Sequence, residues 1–261
     1  MSSFYRGKLV LVVGGTQGIG LAVARQLERL GARLCLVARN EARLAEVCRS
    51  LAEARGIPLD VVDRSRTLEI LGQEMERNGV FDIVINCAGL ARPGYLSLQE
   101  DEDIRQMMEV NYFGTYHVCK AVLQPMLEQG HGIIANTASL GGLMGLFGYA
   151  GYCASKYAVI GFSEALRREV KPFGVTVCVL CPPNTDTPGL ATENLSKPPE
   201  VLALEESVTT VSADLVASKL LKALPRGKKL IIPTLDGWMA YYLSRYAPFV
   251  LERFLKRPEA P

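Results

Sequence analysis

Val12-Val13-Gly14-Gly15-Thr16-Gln17-Gly18-Ile19-Gly20-Leu21-Ala22 is the stretch whose reading decides the fold. Residues 8–13 lead into it and are apolar after Lys8, as a parallel strand covered on both faces must be. Residues 19–30 lead out of it with apolar side chains at helical spacing. Between them, the spacing Gly-x3-Gly-x-Gly lets the backbone turn sharply and come close to a pyrophosphate. The helix that follows aims free amides and the positive end of its dipole at the same point. A glycine turn after the first strand and before the first helix predicts a dinucleotide cradle made by Gly14, Thr16, Gln17, Gly18, Ile19 and Gly20.

The strand-then-helix unit recurs along the chain. Strands are expected at residues 33–38, 59–62, 82–86, 132–137, 175–180 and 229–232, and helices at 41–54, 67–77, 103–128, 152–170 and 213–223. Such alternation folds as an α/β, single-domain, doubly wound parallel sheet of about seven strands flanked by helices, spanning residues 1–235. Two segments leave the rhythm. Residues 183–212, rich in Pro, Thr and Glu, are expected to form a substrate lid. Residues 236–261 are expected to form an amphipathic tail after the sheet is complete.

With 261 residues, 49% of them hydrophobic, the chain can bury a large core, which excludes global disorder. A net charge of +2, with no basic stripe, gives no reason to expect a nucleic-acid partner. Seven cysteines, lying mostly in apolar runs, suit reduced thiols and a cytoplasmic location. Cys178-x-x-Cys181 stands alone in an expected strand, where side chains three apart face opposite ways, so no metal site is expected. No leader or spanning helix is expected before the first strand.

The end of the second strand selects the dinucleotide. An acid there would bind the ribose 2′-hydroxyl of NAD, but this chain reads Ala38-Arg39-Asn40. The Arg39 guanidinium suits a 2′-phosphate, and no carboxylate follows the strand to repel it, so NADP(H) is the expected cofactor. Downstream, Tyr152-Cys153-Ala154-Ser155-Lys156 puts a phenol and an ammonium four residues apart on one helix face. A tyrosine near its ordinary pKa of about 10 is a poor acid–base group at neutral pH. A lysine beside it is expected to lower that value toward the working range.

Further residues complete a recognisable order: Asn86-Cys87-Ala88-Gly89 at the fourth strand, Asn111 in the long helix, and Ser139 after the fifth strand. Together with the glycine turn and Tyr-x3-Lys, this set resembles the short-chain dehydrogenase/reductase family over roughly residues 7–235. The resemblance implies a Rossmann-type fold and a catalytic set of Asn111, Ser139, Tyr152 and Lys156. In that scheme Tyr152 protonates a carbonyl oxygen, Ser139 orients it, Lys156 binds the nicotinamide ribose, and Asn111 holds a water of a proton relay. It also implies that Asn86, Ala88 and Gly89 border the cofactor, that Asp63 approaches the adenine, that Pro182 and Thr185 bind the cofactor, and that Thr187 contacts its carboxamide end. Two departures stand out. Val13 replaces the usual threonine before the glycines, and Pro182-Pro183 replaces the usual Pro-Gly, fixing φ and removing an amide donor.

Within the family, the stretch Pro182-Pro183-Asn184-Thr185-Asp186-Thr187-Pro188-Gly189 is similar to that of 3-ketodihydrosphingosine reductases, as are residues 36–41 and 146–148. That likeness implies NADPH-dependent reduction of a lipid ketone to sphinganine. A 3-ketoacyl thioester, a steroid, or a catalytically silent NADP-binding sensor are the alternatives. Leu143, Met144, Phe147 and Leu190 are candidates for an alkyl-chain groove, with core packing as the competing account. Glu193 or Asp186 could pair with a substrate ammonium. The family resemblance implies a homodimer or homotetramer through helices around residues 103–128 and 152–170. In the tail, Trp238, Met239, Tyr242, Leu243, Tyr246, Phe249 and Val250 share one broad helical arc. Pro248 is expected to start a second short helix, and Arg245, Arg253, Lys256 and Arg257 make the end cationic. Peripheral membrane contact and packing onto the protein are both open for it.

Overall fold

The structure is a computed structural model describing residues 2–206 and 208–250. Its strands are β1 (Leu9–Val13), β2 (Arg33–Ala38), β3 (Ala54–Pro58), β4 (Ile83–Asn86), β5 (Gly132–Thr137), β6 (Val175–Leu180), β7 (Thr185–Asp186), β8 (Val211–Ser212) and β9 (Leu230–Ile231). Seven of them form one parallel sheet in the order β3-β2-β1-β4-β5-β6-β9, and β7 pairs with β8 in a small parallel ribbon. Period-two alternation assigns the sheet's side chains. Val10, Val12, Leu34, Leu36, Ile83 and Ile85 face one apolar cluster, while Leu11, Val13, Cys35, Val37 and Val84 face the other.

The helices cover both faces. They are α1 (Ser2–Tyr5), α2 (Gly18–Arg29), α3 (Glu41–Arg49), α4 (Arg64–Asn78), α5 (Asp101–Met108), α6 (Gly114–Gln129), α7 (Ala150–Val170), α8 (Pro188–Asn194), α9 (Pro199–Glu205), α10 (Ala213–Ala223) and α11 (Leu235–Tyr246). α2 and α10 share the first cluster, and α4, α6 and α7 bury their apolar stripes in the second. The short α1 was not expected. It is fastened by Tyr5, fully buried, whose hydroxyl donates to Leu221 O at 2.6 Å.

Four expectations change. The third strand is Ala54–Pro58 rather than residues 59–62, and α3 stops at Arg49, five residues early. At a sheet edge, pairing with β2 alone is enough, so Gly56 and Pro58 are tolerated. The apolar Leu59 and Val61 are buried past the strand's end, which is what made them read as strand. The long helix of residues 103–128 is interrupted by a π-helical turn, Glu109–Phe113. The lid is also more ordered than its composition suggests, holding β7, α8, α9 and β8. Pro248 does begin a second helical segment after Ala247, while Arg253, Lys256 and Arg257 lie outside the described residues.

Candidate active site

Strand order reverses about β1, between β2 and β4, and a cleft opens there beyond the carboxyl ends of the strands. Its volume is about 610 Å³, and Gly14, Thr16, Gln17, Gly18, Ile19 and Gly20 all line it. The turn is tight enough to demand glycine. A Cβ on Gly20 would stand 2.2 Å from Gly14 O, and one on Gly14, at φ +78°, would stand 2.8 Å from Ala88 N. Gly14 N donates to Val37 O at 2.8 Å, so β2 braces the turn. No acidic residue occupies the first turn of α2, whose amino end faces the cleft. A backbone stripped of side chains beside a free helix amino end fits a dinucleotide pyrophosphate.

At the cleft's other end, Arg39 and Arg43 both line the wall. Arg39, with 68% of its side chain exposed, reaches Asp60 at 3.7 Å. Asn40 caps α3 by accepting from Arg43 N at 2.9 Å, which turns Arg43 into the cleft's rim, where its guanidinium donates to Gln17 Oε1. Asp60 and Val61 take the wall position expected for Asp63. Asp63 itself caps α4, accepting from Arg66 N at 3.0 Å. The Asp-x-x-Arg spacing ahead of an apolar periodic run is the signal that could have shown this.

Beyond Gly89 the cleft meets the polar set. Tyr152 and Lys156 lie one turn apart on α7, and Ser139, which follows β5 and accepts from Gly141 N at 3.1 Å, lies beside the Tyr152 phenol. Lys156 is almost fully buried and donates to Thr137 O at 3.1 Å. The Cβ position of Gly89 is 3.2 Å from Lys156 Nζ and 3.0 Å from Asn111 Oδ1, so only glycine leaves space between them. Asn111 sits in the π turn, which rotates it inward. Its Oδ1 accepts from Leu90 N at 2.8 Å, and its Nδ2 stands 2.9 Å from both Leu90 O and Ser155 Oγ. Burial pushes the Tyr152 phenol up, against the expected lowering, although Ser139 beside it opposes the shift. Lys156 Nζ lies 5.7 Å from the Tyr152 ring centroid and hydrogen-bonds the Thr137 carbonyl. Burial brings Lys156 down to about 8.

Other expected residues are dispersed. Asn86 is turned into the core, where its Nδ2 donates to Asn136 Oδ1 at 2.8 Å, and Asn136 in turn donates to Ser163 Oγ. Ala88, Gly89 and Thr187 line the cleft, and Thr187 caps α8 while abutting Gly18. Pro182 and Thr185 are buried behind it, with Thr185 Oγ1 donating to Pro183 O at 2.8 Å. Met144 is core, Leu143 packs in the cluster that holds Trp238, and Phe147 packs with Tyr149, Tyr152 and Val201. Leu190 and Glu193 lie on α8, and Glu193 bonds Tyr149 and pairs with Lys197. Cys178 and Cys181 fall in separate clusters, each thiol pushed up to about 12 by burial.

Residues 8–198 match the family model described as short chain dehydrogenase. This chain belongs to the short-chain dehydrogenase family. It is similar to a Bos taurus protein named 3-ketodihydrosphingosine reductase, 35% identical over 91% of this chain and 74% of that one. It is also similar to a Haemophilus influenzae protein named 3-oxoacyl-[acyl-carrier-protein] reductase FabG, 36% identical over 68% of this chain and 74% of that one. A solved short chain dehydrogenase/reductase from Burkholderia phymatum, in complex with NAD, matches at TM-score 0.85 and 25% identity over 98% of this chain and 99% of that one. As a short-chain dehydrogenase, the protein is an oxidoreductase that uses a nicotinamide cofactor. Sequence reasoning missed Arg43, Asp60 and Tyr149, because each is brought to the site by a cap or a turn rather than by a motif position.

Proposed function

We propose that this oxidoreductase uses NADPH to reduce the 3-keto group of 3-ketodihydrosphingosine, a long-chain amino ketone, giving dihydrosphingosine. The observation that carries the reaction is the placement of the Tyr152 phenol beside Ser139, beyond Gly89, with Lys156 one helical turn away. The near full-length likeness to proteins named for this activity supports the substrate. The amides of residues 14–20 bind the pyrophosphate, and Arg39 with Arg43 holds the 2′-phosphate. Lys156 binds the nicotinamide ribose, and Asn111 holds a water between that ribose and solvent. A bound nicotinamide supplies the hydride. Ser139 donates to the substrate oxygen and orients it while the Tyr152 proton moves to that same oxygen, and the Lys156 ammonium steadies the phenolate left behind.

NADPH oxidation with 3-ketosphinganine, an acetoacetyl thioester and a ketosteroid tests this. The amino ketone should be reduced with the highest kcat/KM, and Tyr152→Phe should lower kcat by at least about a hundredfold while keeping cofactor binding. Faster reduction of the thioester would favour the reading suggested by the FabG likeness.

For its partners, this proposal includes a homodimer or homotetramer through α5, α6 and α7, where Phe113 and Tyr157 are exposed. It also includes docking of α11 on an anionic lipid surface. No helix among the described residues is long and apolar enough to cross a membrane.

A further inference from the structure

The lid carries a charged cluster that the reduction chemistry leaves without a role. Glu193 on α8, Lys197 in the turn after it, Glu205 ending α9, and Asn184 beyond β6 converge on Tyr149, three residues before Tyr152. Lys197 has no exposed side-chain surface and spans both carboxylates, 3.3 Å from Glu193 Oε1 and 2.5 Å from Glu205 Oε2. Asn184 Nδ2 donates to Glu205 Oε2 at 3.0 Å. The Tyr149 hydroxyl stands 2.6 Å from Glu193 Oε1 and 2.7 Å from Glu205 Oε1.

Charges and donors do not balance in this cluster. Two carboxylates face one ammonium, and Tyr149 has a single hydroxyl proton to share between them. Glu205 takes the shorter Lys197 contact and the Asn184 amide. Glu193 is left with the longer Lys197 contact and a share of the phenol, and its Oε2 has no donor among the described residues. The cluster is therefore one positive charge short, and the deficit falls on Glu193, whose side chain is 17% exposed. Glu193 also stands beside the reacting centre. The Tyr149 and Tyr152 rings are 5.8 Å apart, and the charge of Glu193 helps push the Tyr152 phenol up.

We infer that Glu193 receives the protonated amine of a substrate that carries it on the carbon next to the reducible carbonyl, so that the lid selects 2-amino ketones. This rests on the reductase reading above and adds its specificity. An amine on the adjacent carbon lies within hydrogen-bond reach of the carbonyl oxygen that Tyr152 protonates. One carboxylate beside Tyr152 can therefore hold it. A simple 3-keto lipid leaves the deficit unfilled, and an acidic substrate is repelled.

The test compares 3-ketosphinganine with its deamino counterpart, a 3-keto alcohol of equal chain length, in the parent protein and in Glu193→Gln. The parent should prefer the amino ketone. Glu193→Gln should lower kcat/KM for the amino ketone by about ten- to a hundredfold, mainly through KM, the scale of one charge-assisted contact. The deamino ketone should keep its KM, which shows that the lid still assembles, while any change in its kcat reports the loss of the Glu193 charge beside Tyr152. An equal fall for both ketones, or no fall for either, overturns the inference. A parent protein that reduces both equally also overturns it while leaving the reductase reading intact. A parent that reduces neither overturns the reductase reading, and this inference with it.

Discussion

Lys156 is a cation held where cations are costly. Its ammonium has Thr137 O at 3.1 Å, and burial lowers its pKa from 10.5 to about 8. Between those values the unfolded chain binds a proton that the folded chain does not, so stability rises with pH through that window. Below pH 8 the full cost of burying the charge remains, on the order of 3 kcal/mol. Lys156→Met should therefore raise Tm at pH 7 while abolishing turnover, with the Tm gap closing as pH approaches 10.5; thermal melts across that range check it. The same titration shapes catalysis. Because burial keeps the Tyr152 phenol protonated, kcat/KM for reduction should fall as pH rises through about 8, reporting Lys156 rather than Tyr152. At the cofactor's far end, Arg39→Ala should remove about ten- to a hundredfold of the NADPH preference. Arg43 shares the wall, so the double variant should remove more, and comparing kcat/KM for NADPH and NADH measures both.

Among the elements, the glycine turn joining β1 to α2 does most to make the site. Its glycines are required by backbone contact, since a Cβ at position 20 would meet Gly14 O and Gly14 C. Gly20→Ala must push Gly14 and Gly15 away from α2. The strain is about 1–3 kcal/mol, so Tm should fall by several degrees and NADPH binding should weaken in fluorescence titration. Gly72, in α4, has open space around its Cβ position and serves as the control, since alanine there should stabilise the helix. The π turn at Glu109–Phe113 plays a related part. By inserting an extra residue into the helix, it directs Asn111 at Leu90 and Ser155, a placement that a regular α-helical reading of residues 103–128 does not contain.

Across the whole molecule, α11 is amphipathic in an inverted sense. Gly237 is packed on Ile232, Thr234 and Leu140, and Trp238 and Tyr241 join the apolar cluster near Leu143. The outward face carries Leu235, Met239, Tyr242 and Tyr246, all exposed and spaced four, three and four residues apart, and exposed Phe249 follows in the next segment. Tyr242 stacks on both Trp238 and Tyr246, which stiffens this stripe. Aromatic side chains beside Arg245 and the later Arg253, Lys256 and Arg257 suit an anionic lipid interface. Replacing Met239, Tyr242, Tyr246 and Phe249 by serine should abolish co-sedimentation with anionic vesicles at low salt and leave reduction of a short-chain ketone intact. A parent protein that ignores such vesicles would assign the stripe to protein contacts.

The amino-acid order by itself determined the sheet and its alternation, the glycine turn, the Tyr-x3-Lys pair and the cationic end of β2. Each of these rests on local spacing, where period two, period 3.6 or a four-residue step places side chains without further information. Six of the seven sheet strands could be located this way, and β3 could not, because an edge strand needs only one partner and tolerates Gly56 and Pro58. Tertiary structure alone decided the rest. Asp60 replaced Asp63 on the cleft wall because Asp63 was committed to capping α4, and Asn86 turned inward, where Asn136 on the neighbouring strand accepts from its Nδ2. Lys156 acquired its lowered pKa from burial, and Tyr149, Glu193, Lys197 and Glu205 came together only when the lid folded over α7. Residues far apart in the chain share a charge only after packing has excluded the water that would screen them.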